Sequence, residues 1–459
     1  MFETIAAVST PRGKGGIAVI RVSGDAAADI ARRVFSVDLT EKQPRTAVYG
    51  KIYAPLPDGG REVVDDGVAV LWRGPNSYTG EDVLEISCHG GVLVTQAVLE
   101  AVLAAGARMA GAGEFTRRAF LHGRINLGQV EAVGALLEAK TRSQLALSRG
   151  GMGGKLGARC AELGERLRSV AVSCMAAIDF PDEDLRELSR EEMISAVADA
   201  AAGLRKLAAT WRTGRAVAEG IPTVLCGRAN VGKSALYNRL VGHDAAIVTA
   251  IAGTTRDMLT ETVEFGGVTL RLTDTAGLRD TEDPVEAIGV GRAREALERA
   301  ELVLAVFDGA SELEEDDLAM LDLLPTLQAE IFIVANQSDR GLLPATMEGL
   351  RAAGKPVACI SAETGEGIDG LASAVGACFL DGSLDLREDA IVTGARQYAA
   401  LIRAAEAAEA ALFALQGGLP EDLCCVDLEL ALGALDEIDG RAVSEDIVGE
   451  IFSRFCVGK

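Results

Sequence analysis

The segment TVLC, residues 223–226, runs directly into GRANVGKS, residues 227–234, and then into ALYNRL, residues 235–240. An apolar strand, a loop of the form G-x-x-x-x-G-K-[ST] and a helix in that order constrain the chain more than any other feature. The loop must wrap its backbone N–H groups around phosphate oxygens, aided by the positive end of the helix that it opens. Lys233 is expected to reach the β- and γ-phosphates and Ser234 to bind Mg²⁺. The loop contributes Asn230, Val231, Gly232, Lys233, Ser234 and Ala235 to the expected contacts.

Further loops follow in a fixed order. GTTRD, residues 253–257, supplies Thr255 for Mg²⁺ and the γ-phosphate. DTAG, residues 274–277, ends a strand; Asp274 would hold the metal through water and Gly277 would sense the γ-phosphate. NQSD, residues 336–339, ends another strand, and Ser361 and Ala362 end the next. Asp339 can accept hydrogen bonds from guanine N1 and N2, a donor pair that adenine lacks, so the carboxylate selects GTP. The remaining expected GTP contacts are Thr249, Ala250, Ile251, Ala252, Gly253, Thr254, Thr275, Ala276, Asn336, Gln337, Ser338 and Glu363. Gln337 stands where such motifs usually carry Lys, whose stem packs along the base, so weaker binding with preserved guanine preference is expected. Leu278 stands where many small GTPases place a water-orienting Gln. A polar group from Arg279–Glu286 must then serve, and Glu282, Asp283 and Glu286 are the carboxylates available.

Around this block the texture of the sequence changes twice. Residues 1–120 carry strand-like runs, GIAVIRVSG, VAVLWRG and DVLEISCHG, followed by a helical run Val92–Ala105, which predicts a compact α+β domain. From about 125 to 216, and again from Ala390, apolar residues recur at helical spacing. Between them, Thr223–Cys226, Glu261–Phe265, Val268–Thr273, Leu302–Phe307, Ile331–Ala335 and Val357–Ile360 alternate as strands with helices, which predicts a mostly parallel sheet covered on both faces. The expected fold is multidomain, α/β and α+β. It has an N-terminal α+β domain (1–120), a helical domain in two parts (121–216 and 382–459), and a P-loop α/β domain (217–381) inserted between them.

The net charge is −23, which argues against a whole surface built to grip nucleic acid. A local basic run, Lys140, Arg142, Arg149, Lys155, Arg159, Arg166 and Arg168, faces only Glu162 and Glu165 between 140 and 168. It reads as a solvated helix face or as a local basic patch for an anionic ligand. The nine cysteines form no CxxC pair and read as small buried residues of a reducing compartment. The opening MFETIAAVST lacks the pattern of a secretory signal, and no apolar stretch approaches the roughly 18 residues of a membrane span, so a soluble cytoplasmic protein is expected.

Outside the nucleotide loops the strings GPNSYTGEDVLE (74–85), HGG (89–91), GEFTRRAF (113–120), AAIDFPDE (176–183) and FCVGK (455–459), with AAIVTAIAGTTRD, cover the chain from end to end. In these strings it resembles the bacterial tRNA-modification GTPase family MnmE, also called TrmE. The resemblance implies an N-terminal folate-binding domain, a helical domain with an inserted GTPase domain, and a homodimer formed through the N-terminal domains. It implies a partner, the FAD-dependent MnmG, with FAD held only in that partner. Together they would add an aminomethyl or carboxymethylaminomethyl group to carbon 5 of the wobble uridine of tRNA. The carbon would come from a reduced folate, 5-formyl- or methylene-tetrahydrofolate. It implies activation by K⁺, coordinated by the Asn230 side chain, the carbonyls of Thr249 and Ile251, and Thr254. Glu286, within VEAIG, would be the catalytic residue that orients water. Arg21, Glu85, Arg124 and Lys459 would bind the folate, and Cys456 would be a functional thiol. Two other classes compete: a regulatory ribosome-assembly GTPase, and a self-sufficient folate-dependent transfer enzyme.

Overall fold

The computed structural model describes residues 3–11, 13–56, 60–179, 188–243, 260–273, 296–455 and 457–458. Its contacts divide the chain into two compact units, Met1–Gly134 with Asp436–Lys459, and Ala135–Leu435.

The first unit is built on a six-stranded sheet. Its strands are β1 (Ile5–Val8), β2 (Ile17–Ser23), β3 (Val48–Pro55), β4 (Arg61–Trp72), β5 (Val83–His89) and β6 (Arg108–Met109), in the order β3-β4-β5-β2-β1-β6. Alternation along β2 and β5 sorts the side chains by face. Ala18, Ile20, Val22, Leu84, Ile86 and Cys88 share a core with residues of the helices Ala27–Val34 and Val92–Ala104. Val19, Arg21, Glu85 and Ser87, at the alternate positions, are half-buried. The strand runs expected from the sequence at GIAVIRVSG, VAVLWRG and DVLEISCHG are β2, the end of β4, and β5.

A buried ion cluster knits this unit together. Arg118, on the helix Glu114–Leu121, is 1% exposed. Its guanidinium donates to Glu81 at 3.0 and 3.2 Å, to Glu114 at 2.9 Å and to the Glu3 carbonyl at 2.7 Å. Ser23 of β2 donates to Glu81 at 2.6 Å and lies 2.7 Å from Thr79. The strings YTGED and GEFTRRAF thus meet in space through one arginine. Burial alone would raise the Glu114 carboxyl. Hydrogen bonds from Arg108, the Gly111 N–H and Arg118 outweigh that effect and hold it at about 2, against an ordinary 4.5.

In the second unit the helices Lys155–Asp179, Arg190–Ala209, Ala395–Gly417 and Glu421–Asp439 build a bundle. Buried alanines at 200, 201, 404, 405, 408 and 411 let Arg190–Ala209 and Ala395–Gly417 lie close together. The α/β block carries β7 (Ile221–Cys226), β8 (Thr260–Phe265), β9 (Val268–Thr273), β10 (Leu302–Asp308), β11 (Glu330–Asn336) and β12 (Val357–Cys359). All six correspond to strands expected from the sequence, with ends that coincide or differ by one or two residues. Their order is β12-β11-β10-β7-β9-β8, with β8 and β9 antiparallel and the rest parallel. In β10, Leu302, Leu304 and Val306 join one core while Val303, Ala305 and Phe307 join another, so both faces are covered. The block's entry and exit lie side by side. Thr213 Oγ1 accepts from the Asp381 N–H at 2.9 Å, and Thr210 Oγ1 accepts from the Val392 N–H at 3.0 Å. The chain therefore leaves the helical part and returns to it at one place. No helix among the described residues is long and apolar enough to cross a membrane.

The ion cluster makes the first unit sensitive to acid. A carboxyl depressed to about 2 stabilises the fold fully above its unfolded value near 4.5, and that contribution is lost as pH falls through about 2. Replacing Arg118 by Met leaves Glu81 without its cation and takes one of two arginines from Glu114, at a cost of about 3–5 kcal/mol. Protection of the β2 and β5 amides, measured relative to their intrinsic exchange rates at each pH, should therefore fall below pH 4.5 in the wild type, and at neutral pH in Arg118→Met. Exchange that is unchanged in the variant at pH 7 contradicts this role.

Candidate functional site

The loop after β7 has the geometry that its sequence requires. Gly227 adopts φ +143°, and a Cβ there would sit 2.1 Å from the Val306 carbonyl of the neighbouring strand. Gly232 adopts φ +95°, and its Cβ would sit 2.2 Å from Asn336 Nδ2. Asn230 takes a left-handed φ of 64° at the exposed turn of the loop. Val231 between them is buried, and the helix Lys233–His243 starts at once. Lys233 Nζ folds along the loop and donates to the carbonyls of Gly227 at 2.9 Å and Arg228 at 2.6 Å. Ser234 and Ala235 are exposed in the first helical turn.

Asn336 joins this loop to the two loops expected at the base. It ends β11 and is 2% exposed. Its Nδ2 donates to the Val231 carbonyl at 2.8 Å, and its Oδ1 accepts from the Ala362 N–H at 2.9 Å. A carbonyl on one side and an N–H on the other fix which end of the amide points where. Gln337, at φ 64°, turns the chain out of the strand. The Ser338 N–H then bonds to the Ile360 carbonyl at 3.0 Å, and Asp339 is presented to solvent on a short turn. The Gln337 side chain accepts from Arg340 at 2.5 Å. Ser361 is buried and closes its own turn by accepting from the Thr364 N–H at 3.1 Å. Glu363 is exposed beside it.

Two residues that the motif reading passed over hold these loops in place. Arg239, on the helix Lys233–His243, donates to the Ala362 carbonyl at 3.0 Å and also to that of Glu363. Arg228, within the loop itself, pairs with buried Asp317 at 2.9 Å and with Glu314 at 3.0 Å. Arg228 occupies a position at which the motif accepts any residue and Arg239 lies beyond the motif on the helix, so no signal in the pattern marked them. Thr249, Ala250, Ile251, Ala252, Gly253, Thr254, Thr255, Asp274, Thr275, Ala276, Gly277 and Glu286 lie outside the described residues, as do Leu278, Glu282 and Asp283.

In the first unit, Arg21 and Glu85 face each other across β2 and β5. Arg21 Nε and Nη2 reach Glu85 Oε1 at 2.9 and 2.8 Å, and the side chains keep 22% and 27% of their surface exposed. The guanidinium carbon lies 5.9 Å from the centre of the Tyr78 ring and 5.8 Å from that of Phe115. The Tyr78 hydroxyl lies 3.0 Å from that of Thr116. Arg124 follows the helix Glu114–Leu121, and its side chain is exposed. Two residues earlier, His122 Nδ1 donates to the Thr79 carbonyl at 2.7 Å, tying this stretch to the loop that carries Tyr78. The chain's last described residues come to the same sheet. Val457 bridges Ala112, and Ser9 Oγ donates to the Gly458 carbonyl at 3.0 Å, just beyond β1, the strand that pairs with β2. Lys459 and Cys456 lie outside the described residues.

The basic run has much of its charge compensated locally. Arg159 and Arg166 share Glu162, Arg168 pairs with Glu165, and Lys155 pairs with Glu388 at 2.6 Å. These pairs fit the reading of a solvated helix face better than that of an anion-binding surface. Six of the eight described cysteines are buried, and burial pushes the Cys226 thiol up to about 12. That is a packing residue, not a nucleophile.

The Asn336 clamp carries a direct consequence. Asn336→Ala leaves the Val231 carbonyl and the Ala362 N–H without their buried partner, at about 1–3 kcal/mol. GDP affinity by calorimetry should fall about tenfold or more, with a lowered melting temperature of the α/β block. Unchanged affinity would show that the two loops are held independently.

The family model described as the GTP-binding protein TrmE N-terminus matches residues 4–124, and the MnmE helical domain model matches 127–456. The tRNA modification GTPase MnmE of Symbiobacterium thermophilum is 45% identical over 100% of this chain and 99% of its own length. That of Thermoanaerobacter pseudethanolicus is 40% identical over 100% of both chains. The solved G domain of the T. maritima FeoB iron transporter is 27% identical over 32% of this chain and 92% of its own, with a TM-score of 0.25. From the match to the helical domain and the full-length relatives, the chain belongs to the MnmE family of tRNA modification GTPases.

Proposed function

We propose that this chain is a K⁺-stimulated GTPase acting on tRNA together with the flavoprotein MnmG. The pair would install an aminomethyl or carboxymethylaminomethyl group at carbon 5 of the wobble uridine, using a one-carbon unit from a reduced folate. The observation that carries the nucleotide half is the Asn336 clamp, which joins the phosphate loop, the NQSD turn and the Ser361–Ala362 loop into one site. In the proposed division of labour, residues 1–120 bind folate and form a homodimer, 121–216 and 382–459 are the helical domain, and 217–381 hydrolyse GTP.

The residues fit this reading chemically. The loop amides and Lys233 would hold the phosphates, Asp339 would read guanine, and Ser234 with Thr255 would hold Mg²⁺. Asn230 stands at the exposed turn of the loop, where its side chain can serve as a K⁺ ligand with Thr249, Ile251 and Thr254. When bound, the two cations supply positive charge against the charge that develops on the phosphates. Glu286 would orient the attacking water, the role that Leu278 cannot fill. On the other unit, the paired Arg21 and Glu85 between two aromatic rings suit a flat, polar heteroaromatic such as a pterin. Arg124 and Lys459 would hold its acidic tail. A reaction cycle in which hydrolysis drives a conformational step accounts for a GTPase inside a modifying enzyme.

Two measurements test this. GTP hydrolysis should be at least about tenfold faster in K⁺ than in Na⁺, and lost in Glu286→Ala. tRNA from a strain lacking the gene should lack the wobble-uridine modification and regain it with the wild-type gene. Intact modification with altered ribosome profiles would instead favour a ribosome-assembly role.

A further inference from the structure

One end of the helical bundle is apolar where it meets solvent. The helices Lys155–Asp179 and Ala395–Gly417 finish there, and Glu421–Asp439 begins there. The side chains of Cys174 and Cys424 interact, and Cys424 Sγ lies 3.9 Å from the Ala411 carbonyl, so the three helix ends are neighbours. Along Glu421–Asp439, Leu423, Val426 and Leu430 are 50%, 56% and 62% exposed. Their spacing places them on one stripe, while Cys424, Leu428, Ala431 and Leu435 pack inward. Phe413, on the adjoining helix, is 71% exposed. Met175 and Ile178 are exposed at the same end. Isolated exposed apolar residues are ordinary, but three half-exposed or more in one stripe along a helix mark an interaction surface.

The charges beside the stripe restrict what can cover it. The helix Glu421–Asp439 carries seven carboxylates and neither Lys nor Arg. Asp422 and Glu429 are exposed next to the apolar residues. A nucleic-acid backbone or an anionic membrane surface would be repelled. A second copy related by a two-fold axis would bring the same carboxylates together, which disfavours self-association. The complement is a segment with apolar residues at helical spacing flanked by cations.

We propose that this end of the bundle docks a basic amphipathic helix of a partner protein. Its apolar face would lie on Leu423, Val426 and Leu430, and its Lys or Arg residues would meet Asp422 and Glu429. The surface lies apart from the nucleotide loops, and the inference does not depend on the reaction proposed above.

The test uses the full-length chain and a stapled 18-residue helix with Leu at i, i+3 and i+7 and Lys on both flanks. A counterpart with Glu in place of Lys serves as the control. Fluorescence anisotropy should show the Lys helix binding the wild type, with affinity falling as salt rises, and the Glu helix not binding. The double variant Val426→Lys, Leu430→Lys changes only exposed positions and should keep its circular dichroism and GTPase rate. It should bind the Lys helix at least about tenfold more weakly. The proposal is overturned if the Lys helix fails to bind, if the variant binds it equally well, or if the Glu helix binds as tightly. It is also overturned if the variant's mass by light scattering falls relative to wild type, since a second copy would then be the occupant.

Discussion

A single buried amide organises the nucleotide side of this protein. Asn336 spends its carbonyl on one loop and its amino group on another, and neither bond can be replaced by water at 2% exposure. The phosphate loop and the base loops come from distant parts of the chain, at the ends of β7, β11 and β12. Without a fixed crosspiece each would have its own freedom, and a ligand would have to order all of them. With it, ordering is done during folding, which is the physical meaning of a preorganised site. Arg239 and Arg228 extend the same logic outward, tying one loop to the helix and another to Asp317.

The folate side of the proposal rests on a similar arrangement in a different fold. Arg118 cross-links Glu81, Glu114 and the Glu3 carbonyl beneath the sheet. The loop that holds Tyr78 against Arg21 is fixed by Glu81 and Thr79, which bond to Ser23. A buried charge cluster is weak evidence for stability by itself. Here its effect is to place an aromatic ring, a guanidinium and a carboxylate in one half-exposed patch. The chain's C-terminal residues close on the same sheet through Val457 and Gly458.

Much of this was legible in the sequence, for identifiable reasons. The central strands β10 and β11 are near-continuous apolar runs because both faces of the sheet are covered there, and such runs stand out between polar loops. The nucleotide loops were legible because phosphate and guanine recognition demand particular residues at fixed offsets. The contacts of Arg118, Arg228 and Arg239 were not, because each joins residues 37 to 123 positions apart. A side chain's partner at that separation is set by tertiary packing, and local pattern carries no trace of it. The basic run at 140–168 was legible only in part. Glu162 and Glu165, which pair with Arg159, Arg166 and Arg168, lie within the run, whereas Glu388, the partner of Lys155, comes from more than 200 residues away.

The central claim is that the NQSD turn, held by Asn336, reads guanine through Asp339. Nucleotide competition on Asp339→Asn tests it most directly. An amide offers a donor where the carboxylate offers only acceptors, which suits xanthine, with its carbonyl at position 2 in place of the amino group. The account predicts that the variant loses GTP binding by at least about a hundredfold and gains XTP binding, with the fold intact. A variant that keeps its preference for GTP would contradict it.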